Sequence, residues 1–174
     1  MHKVQNNNLG ARISLEGTVI NNPLEFSEYE RTAFERLVKC GQEVQSQTLS
    51  ELITEAAYLA FHYINNELVA IGAIKRPHES YKRYVFTAAG SDNSPADFIF
   101  ELGWLYTEPN FRKRGISKDI VSQLLAKVPQ KAIYATTRHV YIVSFLEKFG
   151  FIKSGSCYKS TRGDYKLALM IKTD

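Results

Sequence analysis

Residues 102–125 read LGWLYTEPNFRKRGISKDIVSQLL. The opening residues belong to an apolar, aromatic β-prone run, Phe98 to Thr107, closed by Glu108-Pro109, where proline removes a ladder donor. The closing residues set Ile116, Ile120, Val121, Leu124 and Leu125 on one helical face, stopping before Pro129. Between the two stand Phe111, the consecutive cations Arg112, Lys113 and Arg114, and then Gly115. A strand thus passes through a basic turn into a helix start. Such a junction can hold phosphate: the first amides of a helix lack internal partners, the dipole is positive there, and glycine admits close approach. Charge alone would describe a solvated patch. The strand before and the helix after favour the phosphate reading.

Working outward, KAIYATT is a short strand, and Val140, Val143, Leu146 and Phe149 follow at helical spacing until Gly150. FIKSGSCYKS and DYKLALMIK close the chain as a hairpin around TRGD. Upstream, SYKRYVFTAAG reads as a short helix with Ser80 as N-cap and Gly90 beyond its end. YLAFHYINNELVAIGAIKR is a hairpin turning at Asn65-Asn66, residues that tolerate positive φ. Thr48 to Ala57 is a short helix, and Phe26, Tyr29, Phe34, Leu37 and Val38 mark an amphipathic one from Glu25 to Lys39. Ala11 to Ile20 alternates as a half-buried strand. The order β-α-α-β-β-α-β-α-β-α-β-β predicts an α/β fold with a mixed, partly parallel sheet flanked by helices on both sides, and antiparallel edges.

Composition agrees with one folded unit. The 174 residues are 44% hydrophobic and 23% charged, with ten Tyr and ten Phe. One domain over 1–174 is expected, with residues 1–10 flexible, as a monomer or homodimer. No run approaches the ~20 apolar residues of a membrane span, and the N-terminus lacks a signal-peptide core. Cys40 and Cys157 have neither zinc nor disulfide-framework spacing. A reduced, cytoplasmic setting is the default, without membrane partners. His78 has no neighbouring ligands, so no metal is expected. The net charge of +4 is mild, and its densest cluster, Arg112 to Arg114 with Lys118 a turn later, suits a small polyanion better than a nucleic acid. There is neither G-x-x-x-x-G-K-[ST] nor G-x-G-x-x-G with its distal acid, which argues against nucleoside triphosphatases and dinucleotide oxidoreductases.

Arg112-x-x-Gly115-x-Ser117 resembles the [Q/R]-x-x-G-x-[G/A] signature of the GNAT superfamily of acyl-CoA-dependent N-acetyltransferases. The surrounding unit is similar too, and FLEKFGF, Phe145 to Phe151, resembles the YEKLGF segment that ends the next helix in that family. The detailed likeness spans roughly residues 67–171. It implies a GNAT-like sheet with a V-shaped splay between its two middle strands, and acetyl-CoA as co-substrate. The pyrophosphate would rest on amides from Lys113 through Arg114, Gly115 and Ile116 to Ser117, with Arg112 beside them. The pantetheine arm would pair with the backbone of Leu105, Tyr106 and Thr107. Three positions depart from the pattern. Ser117 replaces Gly or Ala, His139 stands where an asparagine contacting CoA is common, and Leu146 replaces the tyrosine presumed to protonate the leaving thiolate.

Transfer to an amine needs a neutral nucleophile, an oxyanion donor and a route for the proton. A strand N–H can polarise the carbonyl. Glu101, eleven residues before Arg112, has the spacing at which several family members carry a base, with a structural ion pair as the other reading. Tyr141 and Tyr134 are acid candidates by neighbourhood, or slot-wall aromatics. His139 binds CoA or starts a helix. Cys157 is expected to be buried and inert, and Trp104 and Tyr106 to be sheet core. The expectation is direct N-acetyl transfer to a primary amine of a small molecule or protein. Leu146 motivates the alternative, a non-catalytic acyl-CoA-binding or regulatory module.

Overall fold

The computed structural model describes residues 15–41 and 48–173. Its strands are β1 (Gly17–Asn21), β2 (Tyr58–Ile64), β3 (Glu67–Lys75), β4 (Phe100–Thr107), β5 (Ile133–Thr137), β6 (Ile152–Lys159) and β7 (Lys166–Lys172). They form a seven-stranded sheet in the order β1-β2-β3-β4-β5-β7-β6. β4 and β5 run parallel, and the other neighbouring pairs antiparallel. The helices are α1 (Glu28–Cys40), α2 (Leu49–Glu55), α3 (Glu79–Ala89), α4 (Ile116–Ala126) and α5 (Val140–Glu147). The order of strands and α-helices is the one expected from the sequence.

Local chemistry explains the boundaries. Ser27 and Glu30 form a reciprocal capping box at the start of α1, each side chain accepting the other's backbone N–H. Asn65 and Asn66 turn the β2–β3 hairpin at φ 50° and 67°. Gly90, at φ 62°, ends α3. Alternation along the strands then sorts the helices into two layers. Leu59, Phe61 and Ile71 pack under α1 and α2, and Tyr134, Leu169 and Ile171 pack under α3 beside Phe86 and Phe98. On the other face, Ala135 and Met170 meet Ile120, Val121 and Leu124 of α4 and Leu146 of α5. Each fully buried aliphatic side chain of α4 contributes ~1.5–3 kcal/mol, so this helix, and the loop that starts it, is firmly seated on the sheet.

Several expectations needed correction. α3 begins at Glu79 with His78 as its N-cap residue, not Ser80: His78 is the last extended residue, at φ −60° and ψ 141°, and its carbonyl already accepts the Lys82 N–H. β4 begins at Phe100 rather than Phe98, whose ring is drawn instead into the α3 core. β1 occupies only Gly17–Asn21. The expected strand residues 11–14 and the expected flexible segment 1–10 lie outside the described residues. Cys157 is exposed, not buried. β6 uses four steps, Ser154 to Tyr158, where β7 uses two, Leu169 to Leu167, and Cys157 rides on that bulge.

Candidate active site

The site begins where the two parallel strands separate. β4 and β5 pair only at Phe100↔Ile133 and Glu101↔Tyr134. Beyond those pairs β4 continues to Thr107 and β5 to Thr137, leaving a wedge that opens toward their C-terminal ends. From Leu102 onward, β4 has no strand partner on its β5 side, so backbone groups aimed there can serve an extended ligand. A bulge accompanies the separation. β4 takes three steps from Gly103 to Tyr106 against two steps on β3, from Ala73 to Ile71. Trp104 carries the distortion at φ 51°, an uncommon left-handed conformation for a bulky residue. The bulge shifts the alternation: Leu102 and Leu105 face α4, while Trp104 and Tyr106 face α1. Trp104 and Tyr106, expected in the core, are half-buried.

Register across three strands builds the base of the wedge. Lys75 on β3 stands opposite Glu101 on β4, which stands opposite Tyr134 on β5. Lys75 Nζ lies 2.8 Å from Glu101 Oε1, and the Tyr134 hydroxyl donates to Glu101 Oε2 at 3.5 Å. Glu101 is 3% exposed. Gly103 makes room for the lysine, since a Cβ there would come within 2.7 Å of Lys75 Cε. The ion pair forms part of the wall of a cavity of about 230 Å³, which also includes Trp104, Thr136, Tyr81 and Tyr158. Burial first, and the Glu101 charge second, raise the Tyr81, Tyr134 and Tyr158 hydroxyls above the ordinary phenol range. All three therefore remain protonated donors at neutral pH.

The basic turn closes the other end of β4. Lys113 at φ 63° and Gly115 at φ 82° fold the chain tightly into α4. A Cβ on Gly115 would meet nothing within 4 Å, so the helix start faces open space. The first backbone bond along the helix runs from Asp119 N–H to the Gly115 carbonyl, and amides before Asp119 are the ones a helix leaves for a ligand. Arg112 Nε donates to the Thr107 carbonyl at 2.9 Å, and its guanidinium lies 5.9 Å from the Tyr106 ring centroid. Arg114 donates to the Asn110 carbonyl at 3.0 Å. Both arginines shape the turn as well as charging it. Thr107 and Ser117 share a 3.0 Å hydroxyl bond that fastens strand to helix. Ile116 is buried, which leaves its backbone as the part able to meet a ligand. Open amides, a small serine and three cations fit a pyrophosphate, and the unpaired β4 edge fits a pantetheine arm.

The remaining candidates cluster less tightly. His139 is the N-cap residue of α5 but makes no side-chain cap there. Its ring stacks on Tyr141 at 5.0 Å and receives the Arg138 Nε–H at 3.2 Å. Tyr141 is 67% exposed and is not among the residues lining the cavity. Leu146 is 1% exposed inside the core and places no polar group at the wedge. Sequence reading missed Lys75, Tyr81 and Tyr158. The β3–β4 register brings Lys75 to Glu101, the packing of α3 on the sheet brings Tyr81 to the cavity, and the β6 bulge brings Tyr158, and none of these leaves a residue-level mark in the sequence.

The sequence matches the model of the acetyltransferase (GNAT) family over residues 24–151. No curated protein matches it significantly. Among solved structures, an acyl-CoA N-acyltransferase from Pseudomonas aeruginosa is similar, with TM-score 0.66 and 12% identity over 89% of this chain and 97% of that one. Arabidopsis thaliana Naa50, in complex with the bisubstrate analogue CoA-Ac-MVNAL, gives TM-score 0.66 and 12% identity over 91% and 99% of the two chains. An aminoglycoside 6'-N-acetyltransferase complexed with coenzyme A gives 0.59 and 18% over 89% and 96%. At these identities the likenesses establish the fold.

Proposed function

The chain belongs to the GNAT acetyltransferase family, and from that premise we propose that it transfers an acetyl group from acetyl-CoA directly to a primary amine. The observation that carries this reading is the parting of β4 from β5 immediately beyond Glu101, with the helix start at Gly115 at the end of the same strand. One short stretch of backbone thus joins an anion cradle to a buried carboxylate.

Acetyl-CoA supplies a thioester, whose C–S bond is replaced by a C–N bond to the amine as CoA leaves as its thiol. The amides from Lys113 to Ser117 hold the pyrophosphate against the positive end of α4, with Arg112 fixing the turn and Arg114 adding charge. Leu105, Tyr106 and Thr107 offer the β4 edge to the pantetheine arm, and His139 borders it from the start of α5. A β4 N–H at the bulge polarises the thioester carbonyl. The Glu101 carboxylate takes the amine proton, directly or through water, as the nitrogen lone pair forms its new bond. Tyr141, in the first turn of α5 just after β5, returns a proton to the departing sulfur. With Leu146 in the core, the acid role cannot rest on that position.

The test follows free thiol as the full chain is mixed with acetyl-CoA and a panel of amino acids, polyamines and peptides. Thiol release that depends on an amine supports the transfer. Tight CoA binding without turnover of any amine would instead favour a binding module, and failure to bind CoA would remove both readings.

A further inference from the structure

Three phenols pack together under α3 near Glu101: Tyr81 of α3 itself, Tyr134 of β5 and Tyr158 of β6. Two of them have partners within the chain. Tyr134 donates to Glu101 Oε2 at 3.5 Å, and Tyr81 has the Thr136 side chain as a hydrogen-bond partner. Tyr158 differs. It is 6% exposed and lines the cavity, yet its hydroxyl meets no hydrogen-bond partner among the described residues. A buried polar atom left unmet costs the fold free energy that a ligand's lone pair would recover. Burial, and then the Glu101 charge, keep the proton on this hydroxyl at neutral pH, so it stands as a donor.

Register fixes where that donor stands. Ile171 of β7 is opposite Tyr134, which is opposite Glu101 at the base of the wedge. Leu167, opposite Tyr158, lies four residues further along β7, toward the open end of β5. Residues an even number apart share a face, so the carboxylate and the hydroxyl stand on one side of the sheet. One lies at the base and the other nearer the mouth, and both line the same cavity. Its volume, about 230 Å³, falls below the ~300–1,000 Å³ of pockets for drug-sized ligands, so the occupant is small. An amine with only hydrocarbon beyond its nitrogen would cover the hydroxyl and leave it unmet. A second ammonium there offers only donors. An oxygen lone pair satisfies it.

Resting on the acyltransferase reading above, we propose that Tyr158 selects the acceptor, a small amine that also carries an oxygen hydrogen-bond acceptor. The nitrogen lies toward Glu101 at the base of the wedge, and the oxygen receives the Tyr158 hydroxyl nearer the mouth. Carbonyl, hydroxyl and carboxylate oxygens share the lone pair that the phenol lacks, and the probes below separate them.

The test measures binding by calorimetry to the full chain in the presence of CoA, and separately measures thiol release with acetyl-CoA. The hydrocarbon probes are ethylamine, 3-methylbutylamine and phenethylamine. Each is set beside the amino amide, amino alcohol and amino acid built on it, with spermidine as a polyamine. At least one oxygen-bearing probe is expected to bind about tenfold or more tightly than its hydrocarbon counterpart, which leaves the buried donor unmet. In Tyr158→Phe that preference should shrink to within about twofold, with CoA affinity unchanged. The melting temperature should hold or rise, because phenylalanine keeps the ring and removes the unmet hydroxyl. A hydrocarbon amine or spermidine binding as tightly as the best oxygen-bearing probe would overturn the proposal. So would an undiminished preference in Tyr158→Phe, a lowered melting temperature in that variant, or no binding of any oxygen-bearing probe. Preferential binding of an oxygen-bearing amine without thiol release would defeat the acyltransferase reading and leave selection by Tyr158 standing. Thiol release confined to hydrocarbon amines would do the reverse.

Discussion

Glu101 is held by side chains from the strands on either side of it, Lys75 of β3 and Tyr134 of β5. Its spacing from Arg112 marks it as a candidate in the sequence, but Lys75 and Tyr134 reach it only through cross-strand register, which no single stretch records. If Glu101 accepts the amine proton, Glu101→Gln should lower thiol release by about 100-fold or more. The loss should be steepest at low pH, where less of the amine is neutral. A pH profile parallel to that of the wild type would assign Glu101 to holding Lys75 alone. Two glycines separate fold from site at the same scale. Gly155, at φ 68°, would place a Cβ 2.1 Å from the Ala89 carbonyl oxygen, whereas Gly115, at φ 82°, has open space. Gly155→Ala should therefore cost ~3 kcal/mol or more, combining overpacking against backbone with a strained φ, and Gly115→Ala only ~1–2 kcal/mol from φ alone. Urea denaturation of both variants measures the contrast, and equal losses would contradict it.

At the scale of elements, α4 was readable at both ends because its apolar spacing, its glycine and the downstream proline are local signals. Its tie to the sheet edge was not. The Thr18 hydroxyl on β1 lies 2.7 Å from His62 Nδ1 on β2 and donates to Asp119 Oδ2 on α4 at 2.6 Å, linking three elements far apart in sequence. Burial is the largest influence on His62 and lowers its pKa, against the opposing charges of Asp119 and Glu16. The sign follows: above about pH 6.5 the imidazole is neutral folded and unfolded, and its contribution to stability is fully present. As pH falls below that value the unfolded chain takes up a proton that the fold resists, so stability declines until the folded pKa is passed. Urea midpoints at pH 7.5 and 5.5 should therefore fall more for the wild type than for His62→Gln. An equal fall in both would mean that His62 is not the group responsible. Asp119 is shifted down, chiefly by the Thr18 hydroxyl, so its own contribution is lost only at more acid pH.

For the whole molecule, periodicity, turn residues and caps were enough to order the strands and helices, because each is written within a few neighbouring residues. The mixed sheet followed from that order. What escaped were the bulges in β4 and β6, which show only when each strand is aligned with its partner: Trp104 sits at φ 51°, and Cys157 is exposed. Those two irregularities contribute Gly103, Trp104 and Tyr158 to the cavity wall, which is why the basic turn before α4 could be read from the sequence and the make-up of the cavity could not. The central claim is that the junction from Thr107 to Ser117 holds coenzyme A beside the parted strands. Calorimetric titration of CoA into the wild type and into Arg112→Ala/Gly115→Asp tests it most directly. The arginine change removes the clamp on the Thr107 carbonyl, and the aspartate sets a negative charge on the amides that would meet phosphate. Binding is expected for the wild type, with a loss of at least about 100-fold in the double variant, from a removed charged hydrogen bond and an added repulsion, while the variant still melts in one cooperative transition lowered by a few degrees, as strain at position 115 requires. Equal affinity in the two folded proteins would contradict it.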